Sequence, residues 1–189
     1  LSLCDQNLEQ IETHQIKSTD NLYIDVLLAA KHEGNSINTH YPKYQAQYHA
    51  DNPDYNTTIC TALARSFADI GDIVRGKDLF IGYNQKDRAQ KKKLQDNLIE
   101  IFKQIHNGLD GEAQARYNGD KDPNYYQLRE DWWNANRQEV WKAIICSAPE
   151  DAKYFRKTAC GQGMETHGYC RCISGDPPTN LDYVPQYLR

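Results

Sequence analysis

The stretch Thr57–Gly76, TTICTALARSFADIGDIVRG, decides how the rest of the chain is read. Apolar side chains at Ile59, Leu63, Ile70 and Ile73, with Ala62, Phe67 and Val74 beside them, recur at steps of three, four and seven, which is one stripe along a helix. Thr57 or Thr58 can cap its start through a side-chain oxygen, and Gly76 suits a left-handed stop. Gly71 in mid-helix costs about 1 kcal/mol relative to alanine, so its presence predicts a closely packed neighbour. Asp69 and Asp72 fall on one face within reach of Arg65 or Arg75. We read these charges as a structural ion-pair network and not as a catalytic carboxylate pair, because no histidine or nucleophile stands near them in sequence. Cys60, in the first turn, can tie that end covalently.

Outward from this helix the pattern stays helical. Gln85–His106 carries Leu94, Leu98, Ile101 and Ile105 at steps of four, three and four, and Asn107 with Gly108 ends it. Pro123–Cys146 is read as a long helix with Asp122 as N-cap and Pro123 at the first helical position. Leu128, Trp132, Ala135, Trp141, Ile144 and Ile145 give it a wide apolar face, with Trp133 and Val140 alongside. That is the spacing of core packing and not of a tryptophan platform for sugars, and each buried aromatic contributes about 1.5–3 kcal/mol. Arg129, Glu130, Asp131 and Arg137 on this helix are read as structural ion-pairing residues. Asp20–Glu33 starts at a good N-cap and is predicted to stop at Gly34. Short helices are expected around Tyr44–Ala50 and Gly111–Tyr117. Leu1–Thr19 reads as extended chain with turns, and Ser147–Arg189 as loop-rich. The predicted class is all-α.

Composition narrows the possibilities. The chain has 189 residues, suited to one domain or a large piece of one, with a formal net charge of −4. A mean hydropathy of −0.83 is polar, yet 13 Tyr, 4 Phe and 3 Trp supply large buriable surfaces. An acidic chain of this kind is no nucleic-acid binder by charge. No apolar run approaches the roughly 20 residues that span a bilayer, so the piece itself is expected to make no membrane contact, and no basic-then-apolar leader opens it.

One segment runs against the net charge. From Arg75 to Lys93 there are seven cations (Arg75, Lys77, Lys86, Arg88, Lys91, Lys92 and Lys93) against Asp78 and Asp87, a local net of +5. Clustered Lys and Arg attract sulfate and phosphate through charge-assisted contacts, so these seven are candidate glycan-binding residues. The competing reading is a solvated helix face, and three consecutive lysines do point around a helix and not to one side.

The six cysteines, Cys4, Cys60, Cys146, Cys160, Cys170 and Cys172, are disulfide candidates in an oxidising compartment. Those at 160, 170 and 172 are expected to staple the C-terminal loops to the end of the long helix at Cys146. A zinc site from Cys160, His167, Cys170 and Cys172 is disfavoured, because C-x-C chelates poorly where structural zinc uses C-x2-C. Asp120–Asn124 resembles the start of a calcium loop, but Tyr125 replaces the required glycine and Asp131 the bidentate glutamate. No metal and no cofactor is expected. The sequon at Asn56 abuts the central helix and is not expected to be modified. No nucleophile elbow, phosphate loop or H-E-x-x-H occurs, and the reading is a non-enzyme.

Three blocks carry a family resemblance: ARSFADIGDIVRGKDLF within Ala64–Phe80, REDWWNANRQEVWKAIIC at Arg129–Cys146, and DYVPQYLR at Asp182–Arg189. They resemble, in order, the signatures of the Duffy-binding-like domains of malaria-parasite adhesins. The flavour is similar to the alpha class of the variant erythrocyte membrane protein one family. The resemblance implies a disulfide-stapled helical bundle with long loops. Residues 1–56 would be the end of a first subdomain, and 57–189 the helical second subdomain of a partial domain. Cys4 then pairs with Cys60 or has its partner upstream. The resemblance implies a host-cell adhesion module on the outer face of the infected erythrocyte, active in rosetting and cytoadherence. It also implies a surface subject to antigenic variation, with further domains in the same long chain. Implied partners are a sulfated glycan such as heparan sulfate, a blood-group sugar or complement receptor one. The alternative is a structural and antigenic spacer whose neighbours make the receptor contact.

Overall fold

A computed structural model describes residues 19–51, 58–117, 123–160 and 163–189. Among these residues five α-helices form the frame: α1 (Thr19–Asp51), α2 (Ile59–Arg75), α3 (Gln85–Gly108), α4 (Gly111–Arg116) and α5 (Tyr126–Ile144). Two 3-10 turns, η1 (Leu181–Tyr183) and η2 (Gln186–Leu188), close the chain. No strand forms among the described residues; two isolated bridges, Cys160 with Met164 and His167 with Arg171, order the C-terminal loop.

The central stretch behaves as its pattern predicts. Leu63, Phe67, Ile70, Ile73 and Val74 of α2 are buried between α1 and α5. Gly76 ends α2 at φ 72°, returning its N–H to the last turn. Thr58 stands at the N-cap, but its hydroxyl meets that of Thr61 at 3.2 Å and does not cap the backbone. A Cβ on Gly71 would lie 2.8 Å from Trp133 Cζ2, so this glycine admits the indole of α5. Phe67 sits between two tryptophans, with ring centroids 5.2 Å from Trp133 and 5.3 Å from Trp141. All three tryptophans are core residues, as their spacing required.

Helices α3 and α4 also follow the sequence. Asn84 caps α3 by accepting from Asp87 N–H at 3.0 Å, and Asp110 caps α4 from Ala113 N–H at 2.7 Å.

Two boundaries differ from expectation. Helix α1 does not stop at Gly34; it runs on through Pro42 to Asp51. Gly34 serves approach and not termination, since a Cβ there would fall 1.9 Å from the carbonyl oxygen of Ile144 in the last turn of α5. Asn38, one turn later, donates to Gly34 O at 2.9 Å and to Ser147 Oγ at 2.8 Å, fastening the continued helix to the end of α5. Helix α5 starts three residues later than predicted. Tyr125 holds φ 57° in front of it, which separates the turn at Pro123–Asn124 from the helix. The predicted N-cap Asp122 and the rest of the calcium-like Asp120–Asp122 lie outside the described residues, as do Asn56 and Thr57 of the sequon.

The disulfides correct the expected staple. Cys60, at the start of α2, bonds to Cys170, a sequence separation of 110. Cys160 bonds to Cys172 across 12 residues. Cys146 is exposed and unbonded, so the C-terminal loops are tied to the central helix and not to the end of α5. The Cys60 bond also removes one of the two alternatives for Cys4, pairing with Cys60; Cys4 itself lies outside the described residues. No zinc chelate is available where both flanking thiols of the C-x-C are consumed in these bridges.

Candidate functional site

The end of α2, the 77–84 loop and the first half of α3 carry the basic run, and the structure divides its seven members. Arg75 is 1 % exposed. Its guanidinium donates to Asp72 at 3.0 Å, to Gly71 O at 2.9 Å and to the main-chain oxygen of Asp182. It also lies 3.6 Å from Glu130 and over the ring of Trp133. Lys77 pairs with the same Glu130. Lys91 reaches Asp78 at 3.7 Å and stands 5.7 Å over Phe80. These three cations hold the fold together at the end of α2.

Lys86, Arg88, Lys92 and Lys93 are exposed, and among the described residues none of the four makes an ion pair. At 3.6 residues per turn, Arg88 and Lys92 lie roughly 40° apart on one flank of α3, while Lys86 and Lys93 lie roughly 20° apart on the other. The buried face of Leu94, Leu98, Ile101 and Ile105 runs between them. The seven candidates are therefore a buried anchor, two tethered lysines and two exposed cation pairs.

Beneath the surface the carboxylates of α2 and η1 organise a polar core. Asp182, 1 % exposed, accepts from Trp133 Nε1 at 2.9 Å and from both arms of Arg137 at 2.7 Å. Burial opposes the charge on Arg137, but the hydrogen bonds and charge of Asp182 more than offset it and hold the guanidinium above its ordinary pKa. Arg129 is also buried, and among the described residues it makes no ion pair of the kind expected for it. It donates to the carbonyls of Val74 at 2.6 Å and Ile73 at 3.1 Å and to Gln95 Oε1 at 3.0 Å. A cation is thus set on the carbonyl end of α2, where the helix dipole favours it. Burial lowers its pKa to about 10, so it remains cationic at neutral pH. Asp69 and Asp72 bind Arg189, at 3.3 Å for Asp69. Arg65, the other partner expected for them, is exposed and makes no ion pair with them.

The loop Lys77–Asn84 holds the feature that periodicity did not reveal. Leu79, Phe80, Ile81 and Tyr83 are all exposed, Ile81 by 70 % and Tyr83 by 79 %. The backbone beneath them is fixed. Asp78 accepts from Phe80 N–H at 3.0 Å, Gln186 accepts from Leu79 N–H at 2.7 Å, and Gln186 donates back to Asp78 at 3.1 Å. Phe80 and Tyr83 meet edge to face with centroids 4.8 Å apart. Gly82 at φ 101° brings the chain onto the start of α3, where a Cβ would fall 2.8 Å from Arg88 N. The only sequence signal for this tip was four large apolar residues in a segment with no amphipathic period.

A cleft of about 640 Å³ opens between Tyr154–Cys160 and Asp176–Leu181, with Arg137 among its lining residues. That arginine is already bound to Asp182, which leaves it little charge for an anion. Among the described residues no group of His, Cys, Asp or Glu could hold a metal ion, and no helix is long and apolar enough to cross a membrane.

The fold and disulfides define a helical, disulfide-stapled domain with a buried polar network where α2, α5 and η1 meet. The Duffy binding domain model matches residues 1–189, and the chain belongs to that family of binding domains. It is similar to the NTS-DBL1α domain of Plasmodium falciparum membrane protein 1 (PfEMP1), with 46 % identity, TM-score 0.77 and coverage of 98 % of this chain and 39 % of that one. An ICAM-1-binding PfEMP1 DBLβ domain shares 33 % identity over 99 % of this chain and 39 % of its own, with TM-score 0.65. The Duffy receptor of Plasmodium vivax is 31 % identical over 104 residues, which is 54 % of this chain and 8 % of that protein. The chain thus spans under half of these solved relatives and a small fraction of the curated one.

Proposed function

We propose that this chain is part of a host-receptor adhesion module, displayed by the parasite on the infected red cell. We further propose that the exposed cations of α3 contact a sulfated glycan on the partner cell. The observation that carries the reading is the set Lys86, Arg88, Lys92 and Lys93, four exposed cations with no carboxylate partner among the described residues, on a chain of net charge −4. Retaining such a cluster on an acidic protein favours an anionic ligand. Membership of a binding-domain family, and relatives whose names include ICAM-1 binding and a Duffy receptor, support the adhesive role.

The test is binding of the oxidised chain to immobilised heparin across a salt series. Several charge contacts should make retention fall steeply as salt rises. The variant with Lys86, Arg88, Lys92 and Lys93 all changed to Glu should lose it with helix content unchanged. Lys91 is best left intact, because it is tied to Asp78 and Phe80. The second reading, a structural and antigenic spacer, is favoured by the internal use of Arg75, Lys77 and Lys91. Heparin retention equal in the variant and the parent would select it.

A further inference from the structure

We infer that the tip formed by Leu79, Phe80, Ile81 and Tyr83, with Arg88 and Lys92 on the adjoining flank of α3, is a docking surface for an acidic polypeptide segment bearing apolar or aromatic side chains. This deepens the adhesive reading above by naming the partner class for one of the two cation pairs, and it rests on that reading.

Three observations converge. The first is charge. Both acidic residues of the region are spent internally, Asp78 on Lys91 and Gln186, and Asp87 on Asn84. Next to the tip itself the outward-facing charges are the cations Arg88 and Lys92, with exposed Asp96 one turn further along the helix. The second is position. Lys91 reaches back over Phe80, and Gly82 presses onto the backbone at Arg88, so the loop leans on the α3 flank that carries Arg88 and Lys92 and away from Lys86 and Lys93. The third is order. The tip's backbone is held by Asp78 and Gln186, and the Phe80–Tyr83 pair is packed edge to face. Apolar side chains held out in a fixed arrangement match a shaped partner, whereas a fluid lipid surface needs no such fixing.

A sulfated glycan would use the cations but has no apolar groups to bury against Ile81 or Leu79. A segment alternating carboxylates with apolar side chains uses both. Aromatic and apolar anchors beside charge partners are the usual composition of the energetically dominant part of a protein interface.

The experiment compares binding of the intact oxidised chain to poly-glutamate, to a random glutamate–tyrosine copolymer, to heparin and to phosphatidylserine-containing vesicles. Each is measured for the parent, for Ile81→Ser with Tyr83→Ser, and for Arg88→Glu with Lys92→Glu. Both replaced pairs are exposed, and the helical spectrum serves as the folding control. The parent should bind the copolymer about tenfold more tightly than poly-glutamate. The serine pair should erase that difference while leaving poly-glutamate and heparin unchanged, and the glutamate pair should weaken both polymers. Equal affinity of the parent for the two polymers, or a copolymer preference that survives in the serine pair, overturns the inference even where heparin binding persists. Vesicle binding that matches the copolymer and falls with it in the serine pair also overturns it, in favour of a lipid surface. Absence of heparin binding by the parent, with the copolymer preference intact, would instead count against the glycan reading.

Discussion

Trp133 occupies the space that a side chain on Gly71 would need: the ring carbon Cζ2 lies 2.8 Å from where that Cβ would be. Two helices therefore touch through an indole and a bare backbone, and the indole N–H is simultaneously held by Asp182. The central helix, the long tryptophan helix and the C-terminal turn meet at this point.

Gly71→Ala is expected to destabilise the domain by about 1–3 kcal/mol through overpacking, although alanine gains about 1 kcal/mol in intrinsic helix preference. Chemical denaturation measures it. A variant as stable as the parent would show that the indole has room to move.

Arg129→Met should cost about 2–3 kcal/mol, because the carbonyls of Ile73 and Val74 lose a charged donor inside the core. Arg129→Lys should recover little of this, since an ammonium cannot reproduce the forked reach to two carbonyls and Gln95. Full recovery by lysine in the same denaturation series would contradict the fork.

Asp69 gives a pH signature. Burial raises its pKa above 3.8, with Arg189 pulling the other way. The folded chain then holds this proton more tightly than the unfolded chain. The stability that this adds is present in acid and is lost as pH climbs from the ordinary aspartate pKa through the folded one. Asp69→Asn should flatten that decline. The effect should be small, because the carboxylate is 41 % exposed. Stability measured from pH 3 to pH 7 decides it, and a steeper fall in the variant would reverse the sign argued here.

Mild reduction should loosen the C-terminal loops before the helices. Cys160–Cys172 closes a short loop, for which the chain-entropy model gives about 3 kcal/mol. Trypsin should then cut first at Arg156, Lys157 and Arg171, all exposed. Identical cleavage patterns with and without reductant would show that packing alone holds the loop.

Much of this frame was legible from residue spacing. The apolar stripe, the left-handed Gly76, the tolerance of Gly71 and the extents of α3 and α4 all follow from local rules that the tertiary structure leaves in force. Gly34 misled because a glycine that lets two helices touch looks the same in sequence as one that ends a helix. The cysteine pairing could not be read, since six thiols allow many connectivities. The basic run misled in part because charge counts do not say which cations are already spoken for: Arg75 is enclosed by Asp72, Asp182 and Trp133, contacts made across 107 residues in the case of Asp182. The apolar tip is not legible in the sequence, because periodicity describes helices and strands and is silent on loops.

The bond from Cys60 to Cys170 also sets how the domain would respond to pulling. Tension applied at the two ends of the chain would pass from residue 60 to residue 170 through sulfur, and the residues between them, a sequence separation of 110, would sit on a closed loop outside the line of force. At about 3.5 Å per residue, roughly 380 Å of contour could not pay out. In the adhesive role proposed above, α3 and its tip would keep their shape while the tether on either side is stretched.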